Sequence, residues 1–359
     1  MSRFYALELF APNAQNDNIG VTFPAANYAS PLPPIPSKKI TYSAMPTKVW
    51  TSHPSGIYDP KAQNIEFDVL VYDQAMGNSP SFLISVEGIS FEEIKQHRNF
   101  HNYGVRLYAG MMPGLPLANN QPTPGLIAQG YVFQGIGNWV GENMALTLVC
   151  YWSPFTARNP GPLVFQWNPN QSLQAALQSC IATAYPGWPI RIHISPQLTT
   201  SHTVTHMART LADLSFWLKQ YTKGALSASY PGVSIYHQQD GSISVRDGTQ
   251  TAVTTQLLFT DLIGQPAWAG SETEAYALDV VTALRADISA GNLLKMPQVD
   301  LDLPGLVYES PSLTNASVNY DLAFNGQFVV NSARYVGNFR SSNAAEWAAV
   351  YRCYGDATA

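Results

Sequence analysis

Three glycines, Gly135, Gly137 and Gly141, fall in the stretch GYVFQGIGNWVGENMALTLVCY from Gly130 to Tyr151, and closely spaced glycines can cradle a phosphate on backbone N–H groups. That chemistry needs the third glycine one residue earlier and a helix opening directly behind it. No helix-forming run follows. Met144 to Tyr151 alternates and ends in Cys150-Tyr151, so the stretch reads as two strands joined by a Gly/Asn turn, with no nucleotide. Two histidine pairs at i, i+4, His97 with His101 and His202 with His206, have the spacing of metal ligands on one helix face. HTVTH carries Thr203 where a metalloprotease carries its glutamate, and neither pair has a third ligand nearby in sequence. Hydrogen-bonded or solvated histidines are the expectation. Glu87, Glu92, Glu93 and Glu142 could in principle supply the two carboxylates of a glycoside hydrolase, but nothing singles out a pair and Glu93 already fits a helix cap. With no Gly-x-Ser-x-Gly elbow, no Gly-x-x-x-x-Gly-Lys loop and no Cys-x-x-Cys, the expectation is no catalytic residue, no cofactor and no metal.

The elements that hold these residues are mostly strands. RFYALELF at residues 3 to 10, IEFDVLVYD after Asn64, SFLISVEG and YGVRLYAGMM all carry β-pattern, and Ser90-Phe91-Glu92-Glu93 is a capping box for a short helix. Prolines mark an extended arm from Pro24 to Pro36 and a loop from Pro113 to Pro124. The middle differs in kind. Leu173, Ala176, Leu177, Cys180, Ile181 and Ala184 share one helical face that Pro186-Gly187 terminates; PIRIHIS is a strand; a second helix is expected from about His206 to Lys223; and GVSIYHQQDGSISVRDG is a hairpin turning at Asp240-Gly241. Residues 272–291 have helix propensity and helical spacing, and local reading leaves helix or strand open. NLLKMP and a hairpin at Asn325-Gly326 return to β.

Composition narrows the function classes. Only 12% of the 359 residues are charged, about half the usual ~25%, while Tyr, Trp and Phe abound. No apolar run reaches the ~18 residues of a membrane span, and the N-terminus lacks a signal-peptide core, so a soluble, uncleaved chain is expected. Surface that is neither charged nor hidden suits permanent subunit contacts. The alternative is a neutral β-protein that binds or cleaves carbohydrate through exposed aromatics. A net charge of −5 gives no basic footprint for gripping nucleic acid. Cys150, Cys180 and Cys353 read as buried free thiols of a reducing compartment.

The C-terminal stretch GQFVVNSARYVGNFRSSNAAEWAAVYRCY, Gly326 to Tyr354, parallels the opening one. Val336-Gly337-Asn338-Phe339 matches Ile136-Gly137-Asn138-Trp139, and Cys353-Tyr354 matches Cys150-Tyr151. Two related β-modules at the two ends of one chain follow. The expected division is an arm and first module in 1–160, a central α/β unit in 161–250 and a second module in 251–359.

Taken in order, FDVLVYD, SVEGISFEEI, YGVRLYAGMMPGLPLAN, PNQSLQAALQSCIATAYPG, YPGVSIYHQQDGSISVRDG, LLFTDLIGQPAW, RADISAGNLLKMP and FVVNSARYVGNFRSSNAAEWAAV resemble the baseplate hub proteins of contractile-tailed bacteriophages over most of the chain after about Asn64. The resemblance implies a β-rich α+β fold with two related tube-like antiparallel β-barrel modules flanking a smaller α/β unit. It implies a homotrimeric hub in the virion, assembled in the host cytoplasm, that joins the sixfold tail tube protein to the threefold central spike protein around a channel. DNA would pass that channel without specific binding. Tape measure and baseplate wedge proteins are further candidate partners, membrane insertion is not expected, and lumen and interface residues are left unassigned. The resemblance also tilts YALDVVTAL towards a strand, and it carries no catalytic residue.

Overall fold

The structure, a computed structural model, describes residues 3–12, 42–74, 81–112, 124–140, 143–153, 155, 161, 163–249, 253–269, 277–297 and 327–355. The first β-module contains β1 (Arg3–Phe10), β2 (Lys48–Thr51), β3 (Asn64–Tyr72), β4 (Ser81–Glu87), β5 (Gly104–Met111), β6 (Gly125–Val140) and β7 (Asn143–Tyr151). Between β4 and β5, helix α1 (Phe91–Lys95) starts at the Ser90/Glu93 capping box. The central unit holds β8 (Leu163–Trp167), α2 (Leu173–Ala184), β9 (Ile190–His193), β10 (Val204–Ala208), α3 (Leu211–Thr222), β11 (Ser234–His237) and β12 (Ile243–Arg246). The second β-module follows with β13 (Thr254–Gln256), β14 (Ala267–Ala269), β15 (Ala277–Ala283), β16 (Leu293–Lys295), β17 (Gln327–Asn338) and β18 (Trp347–Gly355). The fold is a β-rich α+β fold built on one large sheet.

Alternation explains the strands. In β3, Ile65, Phe67, Val69 and Val71 are buried while Glu66, Asp68 and Leu70 face out, the period of two that a half-buried sheet demands. Within the sheet, strand order repeats. The first module runs β3-β4-β7-β6-β5 and the second β14-β15-β18-β17-β16, every neighbouring pair antiparallel. In chain order both are strands one, two, five, four, three. Each copy also carries a register shift on its fourth strand beside the buried cysteine of its fifth. Val132 pairs with Cys150 and Gln134 with Val149; Val330 pairs with Cys353 and Ser332 with Arg352. An extra residue at a matched place twists both hairpins alike.

The modules join edge to edge, because residues 332–338 of β17 pair antiparallel with residues 66–72 of β3. Each module also curls. From β17 to β1 the sheet crosses six strand spacings, about 29 Å if flat. Yet Arg3 of β1 donates from its guanidinium to the carbonyls of Asn338 (2.7 Å), Phe339 (3.2 Å) and Asn343 (3.0 Å), so the sheet has bent back on itself. In the second module β13 pairs with β16 at one edge, and a few residues later Leu262 bridges Thr282 of β15 at the other. The chain from 254 to 263 thereby spans the opening. One core of buried residues runs through both modules: Phe67 packs edge-on to Trp347 (5.4 Å), whose indole N–H donates to the Gly110 carbonyl (3.0 Å).

A second core belongs to the central unit. The Ser172 hydroxyl caps α2, which buries Leu173, Ala176, Leu177, Cys180, Ile181 and Ala184. The β11–β12 turn reaches both modules. Gln238 and Gln239 donate to the carbonyls of Ala290 (2.9 Å) and Ala286 (3.0 Å), while Gln129 donates to that of Asp240 (3.3 Å). Buried Asp73, at the end of β3, accepts from Lys219 (2.7 Å) and Ser234 (2.8 Å).

Three expectations need correction or completion. Gly135 to Trp139 lie inside β6, not in a turn, because the β6–β7 ladder continues to Val140 paired with Asn143. The second helix begins at Leu211, not near His206. Thr210 accepts from the Asp213 amide as its cap, and residues 204–208 pair instead with β8. Of the open stretch 272–291, residues 277–283 are strand β15, since seven register pairs with β18 outweigh local helix preference. The proline-rich arm, residues 113–123 of the Pro113–Pro124 loop and the Asn325-Gly326 turn lie outside the described residues.

Buried His237 sits edge-on to Tyr185 and Trp188, and among the described residues neither ring nitrogen has a hydrogen-bond partner. Burial pushes its pKa down from 6.5 to about 4. The unfolded chain therefore binds this proton more readily, and the stability of the neutral form, in all about 3 kcal/mol, is lost as pH falls from about 6.5 towards 4. Denaturant titrations of wild type and His237→Leu at pH 7.5 and 5 should show a smaller pH loss in the variant. Equal losses would mean another group titrates.

Candidate functional site

Among the described residues, those with catalytic or binding chemistry are occupied structurally. A side chain at Gly135 would strike the His97 carbonyl, and one at Gly137 would meet the Ile94 methyl. These glycines let α1 and the 3-10 turn after it pack under β6. Their role is close approach of backbone to His97 and Ile94, which fill the space that a phosphate would need. The His97 ring Nδ1 lies 2.8 Å from the Ile94 carbonyl and that of His101 2.6 Å from the Phe133 carbonyl. His206 stacks flat on Trp217 at 4.3 Å, and burial lowers its pKa against the opposing charge of Asp213; His202 faces the Tyr221 hydroxyl at 3.5 Å.

The carboxylates are likewise dispersed. Glu87 accepts from Asn64 (3.1 Å), Glu92 pairs with Lys95 (3.2 Å), and Glu93 binds the Ser90 amide (2.9 Å) and Lys48; the side chain of Glu142 lies outside the described residues. Among the described residues no three His, Cys, Asp or Glu gather as a metal cage. The three cysteines are buried and unpaired; burial raises the thiols of Cys150 and Cys353 strongly and pushes that of Cys180 up to about 11, so none is a ready nucleophile.

What the fold does assemble is a surface. The outward face of β15-β18-β17-β3-β4-β7 crosses the module boundary without a break. Its charges are matched across neighbouring strands. Arg334 on β17 makes a two-pronged pair with Asp68 on β3 (2.8 and 2.6 Å), and Arg352 on β18 makes one with Asp279 on β15 (2.9 and 3.0 Å). Asn338 donates to Glu66 (2.7 Å), and Ser85 meets Thr147 (3.2 Å). Desolvation, then the neighbouring charges of Glu87 and Glu346, raises the Glu66 pKa. Solvent-exposed pairs of this kind stabilise by only about 0–1 kcal/mol each. Their larger effect is that, among the described residues of these strands, each arginine is paired with a carboxylate. The sequence could not show the face, since Asp68 and Arg334 are 266 residues apart.

No family model matches the chain, and no curated protein matches it by sequence. In fold it is similar to a tail protein from Neisseria meningitidis MC58, with 8% identity and a TM-score of 0.49 over 99% of this chain and 97% of that one. It is similar also to the 43 kDa tail protein of prophage MuSo2 from Shewanella oneidensis, with 8% identity and a TM-score of 0.47 over 82% and 97% of the two chains. An E. coli component of the type VI secretion system, itself described as structurally similar to T4 bacteriophage tail proteins, shows 10% identity and a TM-score of 0.44 over 82% and 73%.

Gly337 supports the face from beneath, because a side chain there would enter the Phe67 ring at the module boundary. Gly337→Ala should destabilise the protein by about 1–3 kcal/mol, as overpacking does. Adding Phe67→Leu should recover part of that loss in thermal unfolding. An unchanged Tm for Gly337→Ala would show that the boundary is loosely packed.

Proposed function

We propose that this chain is a structural, non-enzymatic hub of a phage tail baseplate, three copies of which ring a channel between a sixfold tail tube and a threefold central spike. The observation that carries the reading is the repeated strand order of two modules joined side by side in one sheet. Two like modules per chain make six in a trimer, which meets sixfold symmetry on one side while the whole chain keeps threefold symmetry for the other. The order of sequence motifs that resembles the hub family supports it independently. In this reading 1–160 and 251–359 hold the ring modules and 161–250 forms a unit outside the ring.

The sheet face that spans both modules is the wall offered to the channel. With each arginine on it held by an aspartate, phosphate finds no loose cation, and DNA passes without being trapped. The tube and spike proteins are the principal partners, tape measure and wedge proteins further ones, and the site of action is the virion after assembly in the host cytoplasm. A carbohydrate platform at Trp217 fits less well, since His206 and Tyr221 both stack on its ring.

Native mass measurement should give about 118 kDa, three times the 39.3 kDa chain, either alone or once tube or spike protein is added. Retention on DNA should not depend on salt. A stable monomer that ignores both partners, or salt-sensitive DNA retention, would overturn the reading.

A further inference from the structure

The central unit repeats itself. Its first half runs β8, α2, Tyr185-Pro186-Gly187 and β9; its second runs β10, α3, Tyr230-Pro231-Gly232 and β11. Matching elements have equal lengths, five residues in each first strand, twelve in each helix and four in each second strand. Both helices are capped alike, the Ser172 and Thr210 hydroxyls accepting from the amides of Ala175 and Asp213. Gly187 and Gly232 are both left-handed, with φ of 81° and 87°, a conformation that suits glycine. Strand pairing agrees with the repeat. β8 and β10 are antiparallel, with Phe165 opposite His206, and β9 and β11 run in opposite directions on the two sides of β12. Both pairs have the relation that a local twofold axis gives. The second half differs by residues 223–229, which leave α3 and return to its end: the Gly224 amide donates to the Tyr230 carbonyl (3.0 Å) and the Val233 amide to the Thr222 hydroxyl (2.9 Å).

The two tyrosines of this repeat are buried, and their hydroxyls meet equivalent turns. Ser153, two residues past β7, lies where the chain enters the central unit. Its hydroxyl is 3.0 Å from that of Tyr185 and accepts from the Phe155 amide (3.2 Å). Asp247, directly after β12, lies where the chain leaves for the second module. Its carboxylate accepts from the Tyr230 hydroxyl (2.9 Å), from the Thr249 amide (2.9 Å) and from the Ser195 amide beyond β9 (2.7 Å). In each case a side-chain oxygen holds the amide two residues ahead, which makes a local turn, and a tyrosine hydroxyl holds that oxygen.

We infer that the central unit is a duplicated strand, helix, Tyr-Pro-Gly and strand element whose two tyrosines are equivalent moorings, Tyr185 for the segment that enters from the first module and Tyr230 for the segment that leaves for the second. A Tyr-Pro-Gly triplet alone would be a weak motif; the matched lengths, caps, glycine conformation and pairing carry the repeat. The device holds a unit that is inserted between two modules at both of its covalent connections, so that its position does not rest on the β11–β12 turn alone. The inference does not depend on the tail reading above. The two moorings differ in strength. Tyr185 meets a neutral hydroxyl, whereas Tyr230 donates to a carboxylate, and a buried carboxylate that loses a donor costs more than a hydroxyl that does.

Amide hydrogen exchange in the whole protein, read by mass spectrometry, tests the moorings. Tyr185→Phe should speed exchange of the Phe155 amide about fivefold and leave that of Thr249 unchanged. Tyr230→Phe should speed exchange of the Thr249 and Ser195 amides about tenfold and leave that of Phe155 unchanged. Both substitutions keep the buried ring, so the core stays filled. Ser153→Ala provides a second route: adding Tyr185→Phe to it should change exchange at Phe155 no further, because the tyrosine acts there through the Ser153 hydroxyl. Unchanged exchange at both connections, or acceleration in β3 and β17 by the same factor, would overturn the moorings. A response at one connection and not the other would overturn the equivalence of the two tyrosines.

Discussion

Everything distinctive in this fold depends on the antiparallel junction where β17 pairs with β3. Without it the chain would hold two separate β-modules on a tether; with it, the modules share a sheet, a face and a core. Backbone pairing over 66–72 and 332–338 fixes the register, and the side chains reinforce it from both sides. Outside, Arg334 grips Asp68 and Asn338 grips Glu66. Inside, Gly337 admits the Phe67 ring, which packs against Trp347. A slip of one residue would exchange these faces and put charge into the core. The arginine pairs lie in solvent and contribute little to stability, so packing beneath them and the backbone ladder carry the junction.

The central unit constrains the same junction from a third direction. Asp73, one residue past β3, is buried against Lys219 and Ser234, while the β11–β12 turn bonds Ala286 and Ala290 of the second module. Gln129 and Arg106 tie that turn to the first module through their mutual bond of 3.0 Å. Three bodies meeting through buried polar contacts resist hinge motion, because each contact left unmade would strand a desolvated group. The proposed ring would need that rigidity, since an error in the angle between modules would be repeated around the circle.

Much of this was legible in the residues and part was not. Alternation marked β3 and β7, β-pattern without clear alternation marked β4, β5 and the start of β17, the Ser90 capping box marked α1, and apolar spacing marked α2. The duplication was visible as Gly-Asn and Cys-Tyr pairs, but those two signals are not in step. Gly137 stands five residues after Val132, whereas Gly337 stands seven after Val330, so the bulges, not the glycines, define the equivalence. The glycine spacing suggested a turn because glycine serves turns and close approach alike, and only packing against Ile94 or Phe67 distinguishes the two. The start of α3 was misread because Val204 to Ala208 is apolar at intervals that suit helix or strand, until pairing with β8 decides. The charged face lay beyond reach, being made of residues from opposite ends of the chain.

The central claim is geometric: two like modules per chain, laid edge to edge, build six places of a ring from three chains. Electron-microscopic reconstruction of the assembled particle tests it most directly. The account predicts a threefold ring in which six β-lobes of the same strand order surround the channel at near-equal spacing, with three further densities outside from residues 161–250. A particle with another rotational symmetry, or one in which the two modules of each chain lie at different radii from the axis, would contradict it.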